Sequence, residues 1–259
     1  MYPIIRIGNL TFPTYGIIAL LAFLFTYWLI KFYARKDNFD YHQARDLYLY
    51  TAFAGLIGAK VVNIITELPL IAVNPRQLKT ILISGGVYYG GLLTGVFFCA
   101  FYCFYKKILF LHFLDILSPI LALSISISRL GCFASGCCFG KPTDVPWAVT
   151  FNNPIAHAMH PDLPYVSLHP TQLYLSLADL IIFFILTIFY TRKKIHGQIF
   201  FSYLLLYGIG RFIIEFYRFD YRGVLLAGFL STSQFIAIAT SLLCLFVLFY
   251  LSYREKKAR

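Results

Sequence analysis

The stretch Ser128-Arg129-Leu130-Gly131-Cys132-Phe133-Ala134-Ser135-Gly136-Cys137-Cys138-Phe139-Gly140 follows a run from Ile116 to Ile127 that holds no charged residue. Arg129 therefore arrives at or just inside the edge of an apolar segment. An arginine inside a bilayer costs about 2.5–3.5 kcal/mol on insertion scales, so one at such a place is usually paired or functional. Its planar fork of donors suits a phosphate. Gly131, Gly136 and Gly140 let the backbone turn and approach a ligand closely. A second polar set lies in Tyr207-Gly208-Ile209-Gly210-Arg211-Phe212-Ile213-Ile214-Glu215-Phe216-Tyr217-Arg218. Arg211 and Glu215 are four apart, share a helix face and can pair. Two arginines against one glutamate leave a net positive site that an anion would complete. A third set is Ser84-Gly85-Gly86-Val87-Tyr88-Tyr89-Gly90-Gly91. Its glycines predict a tight turn, with the two phenols at headgroup depth. Tyr15 and His169 fall at the same predicted level.

Each signal also has a plainer reading. Arg211 and Glu215 can be a structural ion pair, and Arg129 can snorkel to lipid phosphates. Tyr88 and Tyr89 suit an interfacial aromatic belt, and His169 can cap a helix. Convergence favours function, because four separate segments deliver polar groups to one predicted face. Cys132, Cys137 and Cys138 have the spacing C-x4-C-C, and no fourth ligand stands at a recognisable spacing, so no metal is expected. An oxidising compartment would allow a disulfide among them, but small buried thiols lining the site are the default. Cys99, Cys103 and Cys244 lie in apolar runs and read as core residues.

The positioning elements follow from composition. Of the residues, 59% are hydrophobic and 13% charged, about half the charge of a soluble domain, and mean hydropathy is +0.73. These values predict an all-α polytopic membrane protein, one transmembrane domain over residues 1–259. Runs of about 20 apolar residues place seven spans at Tyr15–Phe32, Leu47–Ile65, Val87–Tyr105, Phe113–Leu130, Gln172–Tyr190, Ile199–Phe216 and Gly228–Leu251. Only Arg6 precedes the first span and no small-residue cleavage site follows it, so it reads as a span rather than a removable leader. The net charge of +11 would suggest nucleic acid in a soluble chain, but here the cations set topology and no nucleic-acid partner is expected. Segments after odd-numbered spans, with the C-terminal tail, hold thirteen Lys and Arg, including Lys31, Lys106, Arg192 and Arg259. The opposite side holds six: Arg6, Arg76, Lys79, Lys141, Arg218 and Arg222. Lys60, Arg129 and Arg211 fall within spans. The N-terminus is expected outside and the C-terminus in the cytoplasm. The longest loop, about 132–169, then lies on the outer side, long enough to be functional.

Several ordered motifs together resemble the phosphatidylglycerol–prolipoprotein diacylglyceryl transferase family. They are Ser-Arg-Leu-Gly-Cys-Phe from Ser128 through Gly140, Lys141-Pro142-Thr143-Asp144, Leu168-His169-Pro170-Thr171-Gln172-Leu173-Tyr174, and Gly210-Arg211-Phe212 with Glu215, Phe216 and Arg218. Tyr15-Gly16, Asp115 with Pro119, and Tyr89-Gly90-Gly91 extend the resemblance over nearly the whole chain. It implies transfer of diacylglycerol from phosphatidylglycerol to the lipobox cysteine in the signal peptide of a prolipoprotein, at the bacterial cytoplasmic (inner) membrane. A thioether and glycerol phosphate would result, with no cofactor.

Carried over by motif, the catalytic set is Arg129, Arg211, Glu215 and Tyr89. Tyr15, Gly90, Gly91, Gly131, Gly140, His169, Gln172 and Arg218 are expected to bind substrate. Many members resemble this chain less at three places: histidine stands where it has Tyr89, asparagine where it has Cys132, and an acidic residue where it has Cys137. A tyrosine is a poor base at the ordinary phenol pKa of about 10, so the arginines carry the expectation. The rival reading is a non-catalytic or transporting membrane protein that binds anionic headgroups. It would need a polar path through the inner halves of the spans, where Asp115 and Asp179 are the main polar exceptions.

Overall fold

The computed structural model describes residues 2–8, 10–75, 78, 81, 85–219, 224–225 and 230–258. Arg76, Lys79, Ser84, Arg222 and Arg259, used in the charge and motif readings, lie outside these residues, as does Gly228, the expected start of the seventh span. A short antiparallel hairpin, β1 (Ile4–Ile7) with β2 (Leu10–Pro13), precedes the helices. Then come α1 (Thr14–Lys36), α2 (Tyr41–Thr66), α3 (Leu68–Val73), α4 (Tyr88–Tyr105), α5 (Phe110–Ser135), α6 (Pro154–Met159), α7 (Thr171–Tyr190) and α8 (Gln198–Glu215). A two-residue pairing of β3 (Val224–Leu225) with β4 (Leu230–Ser231) leads into α9 (Thr232–Ala258). Seven of these helices are long and apolar enough to cross a membrane, each matching an expected span.

Two differences from the expected spans bear on the site. α5 runs on to Ser135 with Pro119 inside it, so Arg129 sits within the helix and not at its edge. α4 begins at Tyr88, so Tyr89, Gly90 and Gly91 form its first turn instead of a tight turn before it.

The chain divides into two compact units, residues 1–29 with 114–259, and residues 30–113. In the second unit, α2 and α4 meet through small residues, the usual solution where lipid offers no hydrophobic gain for association. A Cβ on Gly90 would stand 2.7 Å from Val62 Cβ and 2.9 Å from the Gly58 carbonyl oxygen, and one on Gly91 would stand 3.0 Å from that of Gly55. Thr94 Oγ1 donates to the Gly90 carbonyl at 2.7 Å and to that of Ala54 at 3.3 Å. Lys60 does not simply reach for solvent: its ammonium donates to the carbonyls of Ile81 and Gly85, at 3.3 and 3.4 Å.

In the first unit, Ser126 on α5 and Ser176 on α7 exchange hydroxyl-to-carbonyl bonds of 2.7 and 2.9 Å, both side chains being buried. Near the start of α5, fully buried Asp115 accepts from the backbone N–H of Gly197 (2.7 Å) and of Phe200 (2.9 Å) at the start of α8, and Lys193 Nζ lies 3.3 Å away. The carboxylate satisfies N–H groups that a helix start leaves without partners. Asp115, weighed above as part of a polar path, is engaged in this cap. α8 lies close against α9, with Gly208 facing the carbonyl of Ala237.

Candidate functional site

The loop after α5 is organised by its neighbours. Gly136 (φ 78°) and Cys138 (φ 60°) both adopt left-handed backbone, which is strained for the cysteine at a cost of about 1–3 kcal/mol. The chain then runs between two other segments. Gly140 N donates to the His169 carbonyl at 3.0 Å, Lys141 N to that of Tyr217 at 2.8 Å, and His169 N to that of Lys141 at 3.0 Å. A Cβ on Gly140 would meet the His169 and Tyr217 carbonyl oxygens at 2.6 Å, so only glycine fits where the ends of α5, α7 and α8 are laced together. Phe139, Phe151, Ala156, Leu163 and Leu168 form a small core beneath the loop, with Phe133 and Val149 against it. This local organisation was not visible in the loop's sequence.

Two buried side chains at the start of α7 hold the cysteine turn. Thr171 Oγ1 donates to the Cys138 carbonyl at 2.8 Å and Gln172 Nε2 to that of Cys137 at 2.7 Å. The three sulfurs of Cys132, Cys137 and Cys138 all lie within 4.8 Å of one another, and none is in a disulfide. Hydrogen bonds from Cys132 and Cys137 hold the Cys138 thiol below the ordinary thiol range, with the hydrogen-bonded Arg218 guanidinium adding to them; burial works the other way. Arg218 is only 3% exposed.

Arg129 lies on the same side of this unit. Its guanidinium is within electrostatic reach of Tyr207, Cys132, Cys138 and Asp179, and of Tyr15. Its Nε is buried and has no hydrogen-bond partner among the described residues. Gly131 allows the approach of α1, since a Cβ there would sit 3.1 Å from the Tyr15 ring and 3.3 Å from its Cα. On α8, Tyr207, Arg211 and Glu215 stand four apart and form one stripe. Arg211 Nη2 and Glu215 Oε2 pair at 2.6 Å, both largely buried, and Ser231 Oγ donates to Glu215 Oε1 at 3.2 Å. Arg129 thus addresses the stripe that carries the Arg211–Glu215 pair.

The remaining expected residues fall into two groups. His169 Nδ1 and the Tyr174 hydroxyl are hydrogen-bonded at 3.1 Å, the hydroxyl also accepts from Trp147 Nε1 at 2.7 Å, and the His169 ring packs edge-on against Tyr217. Tyr89, Gly90 and Gly91 belong to the other unit, where Gly90 and Gly91 face α2 and Tyr89 is 67% exposed beside Tyr88. That unit also holds an apolar cavity of about 750 Å³, lined by Phe53, Ile57, Val61, Leu93 and Phe97 among others, with no charged residue in its wall.

Comparison with known proteins matches residues 3–250 to the family model described as prolipoprotein diacylglyceryl transferase. The chain belongs to this family. It is 36% identical over 235 residues to the phosphatidylglycerol–prolipoprotein diacylglyceryl transferase of Clostridium tetani, covering 90% of each chain. It is 34% identical to the protein of that name from Finegoldia magna, over 87% of this chain and 85% of the relative. For the Thermotoga maritima protein the identity is 30%, over 93% and 81%. The chain is thus a multi-pass membrane enzyme of the diacylglyceryl transferase family.

Sequence reading missed several groups of this candidate site. Ser231 could have been found from Ser231-Thr232-Ser233-Gln234, a capping-box pattern; Ser231 N donates to Gln234 Oε1 at 3.0 Å and Gln234 N to Ser231 Oγ at 3.2 Å. Tyr207 carried the signal of its four-residue spacing from Arg211. The role of Thr171 in holding the Cys138 carbonyl had no local signal.

Proposed function

We infer that this chain performs its family's reaction, moving a diacylglyceryl group from phosphatidylglycerol to a prolipoprotein, and that the chemistry takes place around Arg129. The acceptor is the lipobox cysteine at the end of the signal peptide; its sulfur attacks the glycerol carbon, the carbon–oxygen bond to phosphate breaks, and glycerol phosphate leaves. The observation that carries this reading is the unpartnered buried Nε of Arg129, on a guanidinium within electrostatic reach of Tyr207 in the Arg211 stripe. An unsatisfied donor on a buried cation calls for an anion.

Phosphate is a good leaving group if its developing charge is met by fixed cations, so the arginines supply the larger part of catalysis as preorganised electrostatics. Glu215 holds Arg211 in a fixed rotamer, and Ser231 holds Glu215. Arg218 and Gly140 keep the loop in place. Tyr15, Gly131 and His169 are assigned to substrate contact, and Gln172 holds the cysteine turn behind them. The bias of Lys and Arg toward segments after odd-numbered spans supports an outward N-terminus, which puts this site at the outer leaflet of the cytoplasmic membrane.

The test is mass spectrometry of a lipobox peptide incubated with proteoliposomes of phosphatidylglycerol. The wild-type chain adds a diacylglyceryl mass to the cysteine, and Arg129→Ala abolishes the product. Substantial turnover by Arg129→Ala would remove Arg129 from the reaction.

A further inference from the structure

The three-thiol cluster has no task in the reaction as described above. Three sulfurs within 4.8 Å of one another are already close to the spacing of a zinc–thiolate site, where zinc–sulfur bonds of about 2.3 Å put tetrahedral sulfurs about 3.8 Å apart. A contraction of no more than about 1 Å would complete it. Sites with three protein ligands and one open position are the catalytic kind of zinc site, whereas closed four-ligand sites are structural. Soft thiolates select zinc over hard cations.

We propose that Cys132, Cys137 and Cys138 hold a zinc ion whose fourth position takes the thiol of the prolipoprotein cysteine. The proposal rests on the transferase reading of the preceding section for the identity of that fourth ligand, though not for the metal itself. Three further features fit it. The ligand turn is held from outside by Thr171 and Gln172 through the carbonyls of Cys138 and Cys137, the outer-shell support that fixes ligand direction. Cys138 stands in a left-handed backbone conformation, which for a non-glycine residue persists only where the surrounding structure enforces it. Charge also balances: zinc with three protein thiolates and one substrate thiolate carries two excess negative charges. Arg218, hydrogen-bonded to Cys138, and Arg129, within its field, supply two positive ones.

The chemistry closes without any oxidant. Loading the ion releases the thiol protons of the three cysteines to water. The incoming thiol displaces the fourth ligand and loses its proton on coordination, since a metal-bound thiol is deprotonated outright. The coordinated sulfur then forms its bond to the glycerol carbon as the carbon–oxygen bond to phosphate breaks, and the bonding pair leaves with glycerol phosphate. A neutral thioether is a weaker ligand than a thiolate and departs from the zinc. The ion thus supplies the step for which no protein base stands out among the described residues.

Cobalt(II) is the probe. Added to chelator-treated, detergent-purified chain, it is expected to give the intense sulfur-to-cobalt charge-transfer band of a thiolate site, one ion per chain. The band is lost in Cys132→Ser, Cys137→Ser and Cys138→Ser, and kept in a Cys99→Ser/Cys103→Ser control. A lipobox peptide shifts the visible bands of the bound cobalt; the same peptide with serine for cysteine does not. Chelator treatment lowers transfer by about 100-fold or more, the size of a proton-removal step, and zinc restores it. No band in the wild-type chain overturns the proposal without recourse to any variant. Full transfer by metal-free chain overturns it too, and leaves the transferase reading standing. Cobalt binding with no transfer in any preparation would sink that transferase reading, and the fourth-ligand assignment with it.

Discussion

Replacing Gly140 by alanine adds one methyl group where three chain segments cross. The new carbon would lie 2.6 Å from the carbonyl oxygens of His169 and Tyr217 and 2.7 Å from His169 Cβ. Non-bonded carbon contacts settle near 3.5–4.0 Å, so each neighbour must retreat by roughly 1 Å. None of the three atoms is at the free end of a side chain, and a rotamer change relieves nothing. The backbone bonds from Gly140 to His169 and from Lys141 to Tyr217, at 3.0 and 2.8 Å, lengthen or break with the shift. Overpacking of this kind costs about 1–3 kcal/mol, less than the stability of a typical domain at about 5–15 kcal/mol, so the chain still folds. The displaced segments carry His169 and Arg218, and a misplacement of about 1 Å at a reacting site costs about 100-fold in rate. Gly140→Ala is therefore expected to insert and purify normally, to melt at a lower temperature, and to lose about 100-fold of its peptide-lipidation rate. The assay pairs thermal unfolding in detergent with product quantitation in phosphatidylglycerol proteoliposomes. Wild-type values in both would refute the close approach of the three segments.

The other variants separate the site from the frame. Glu215→Gln keeps the shape but removes the charge facing Arg211, at 2.6 Å. It is expected to lower turnover well beyond its effect on melting, and a pure stability loss would make the pair merely structural. Tyr89→Phe removes only an exposed hydroxyl, so most of the turnover should survive; a fall of about 100-fold, the scale of a general base, would make Tyr89 the proton acceptor. Asp115→Asn leaves Lys193 beside an uncharged partner in a buried setting, where breaking a pair costs about 3–5 kcal/mol. The expected result is a marked fall in melting temperature with little change in rate per folded molecule, and an unchanged melting curve would contradict the capping role.

The spans were legible because the bilayer demands about 20 apolar residues per crossing, and the Arg211–Glu215 pair because helical spacing alone brings those side chains together. What sequence could not convey was set by distant partners. Asp115 meets Gly197 across 82 residues, so it read as a stray charge in a span. The loop around Cys132–His169 looked structureless because its order comes from isolated pairings of Gly140 with Arg218 and of Pro142 and Val149 with Leu168. The amino-terminal hairpin went unread although the sequence Gly8-Asn9 is a short-turn signal, and Gly8 stands in left-handed backbone. For the thiols, a search for a fourth cysteine or histidine nearby missed that three sulfurs already converge.

The reciprocal bonds between Ser126 and Ser176 act as a ratchet pawl between two rods. Sliding α5 past α7 by a single residue would strip two buried hydroxyls of their acceptors across the seam in a medium without water, at several kcal/mol for each bare group. Those two helices carry Arg129 on one side and Thr171, Gln172 and Asp179 on the other. Any breathing that admits a two-tailed lipid must therefore pivot elsewhere, while this seam stays shut through every turnover.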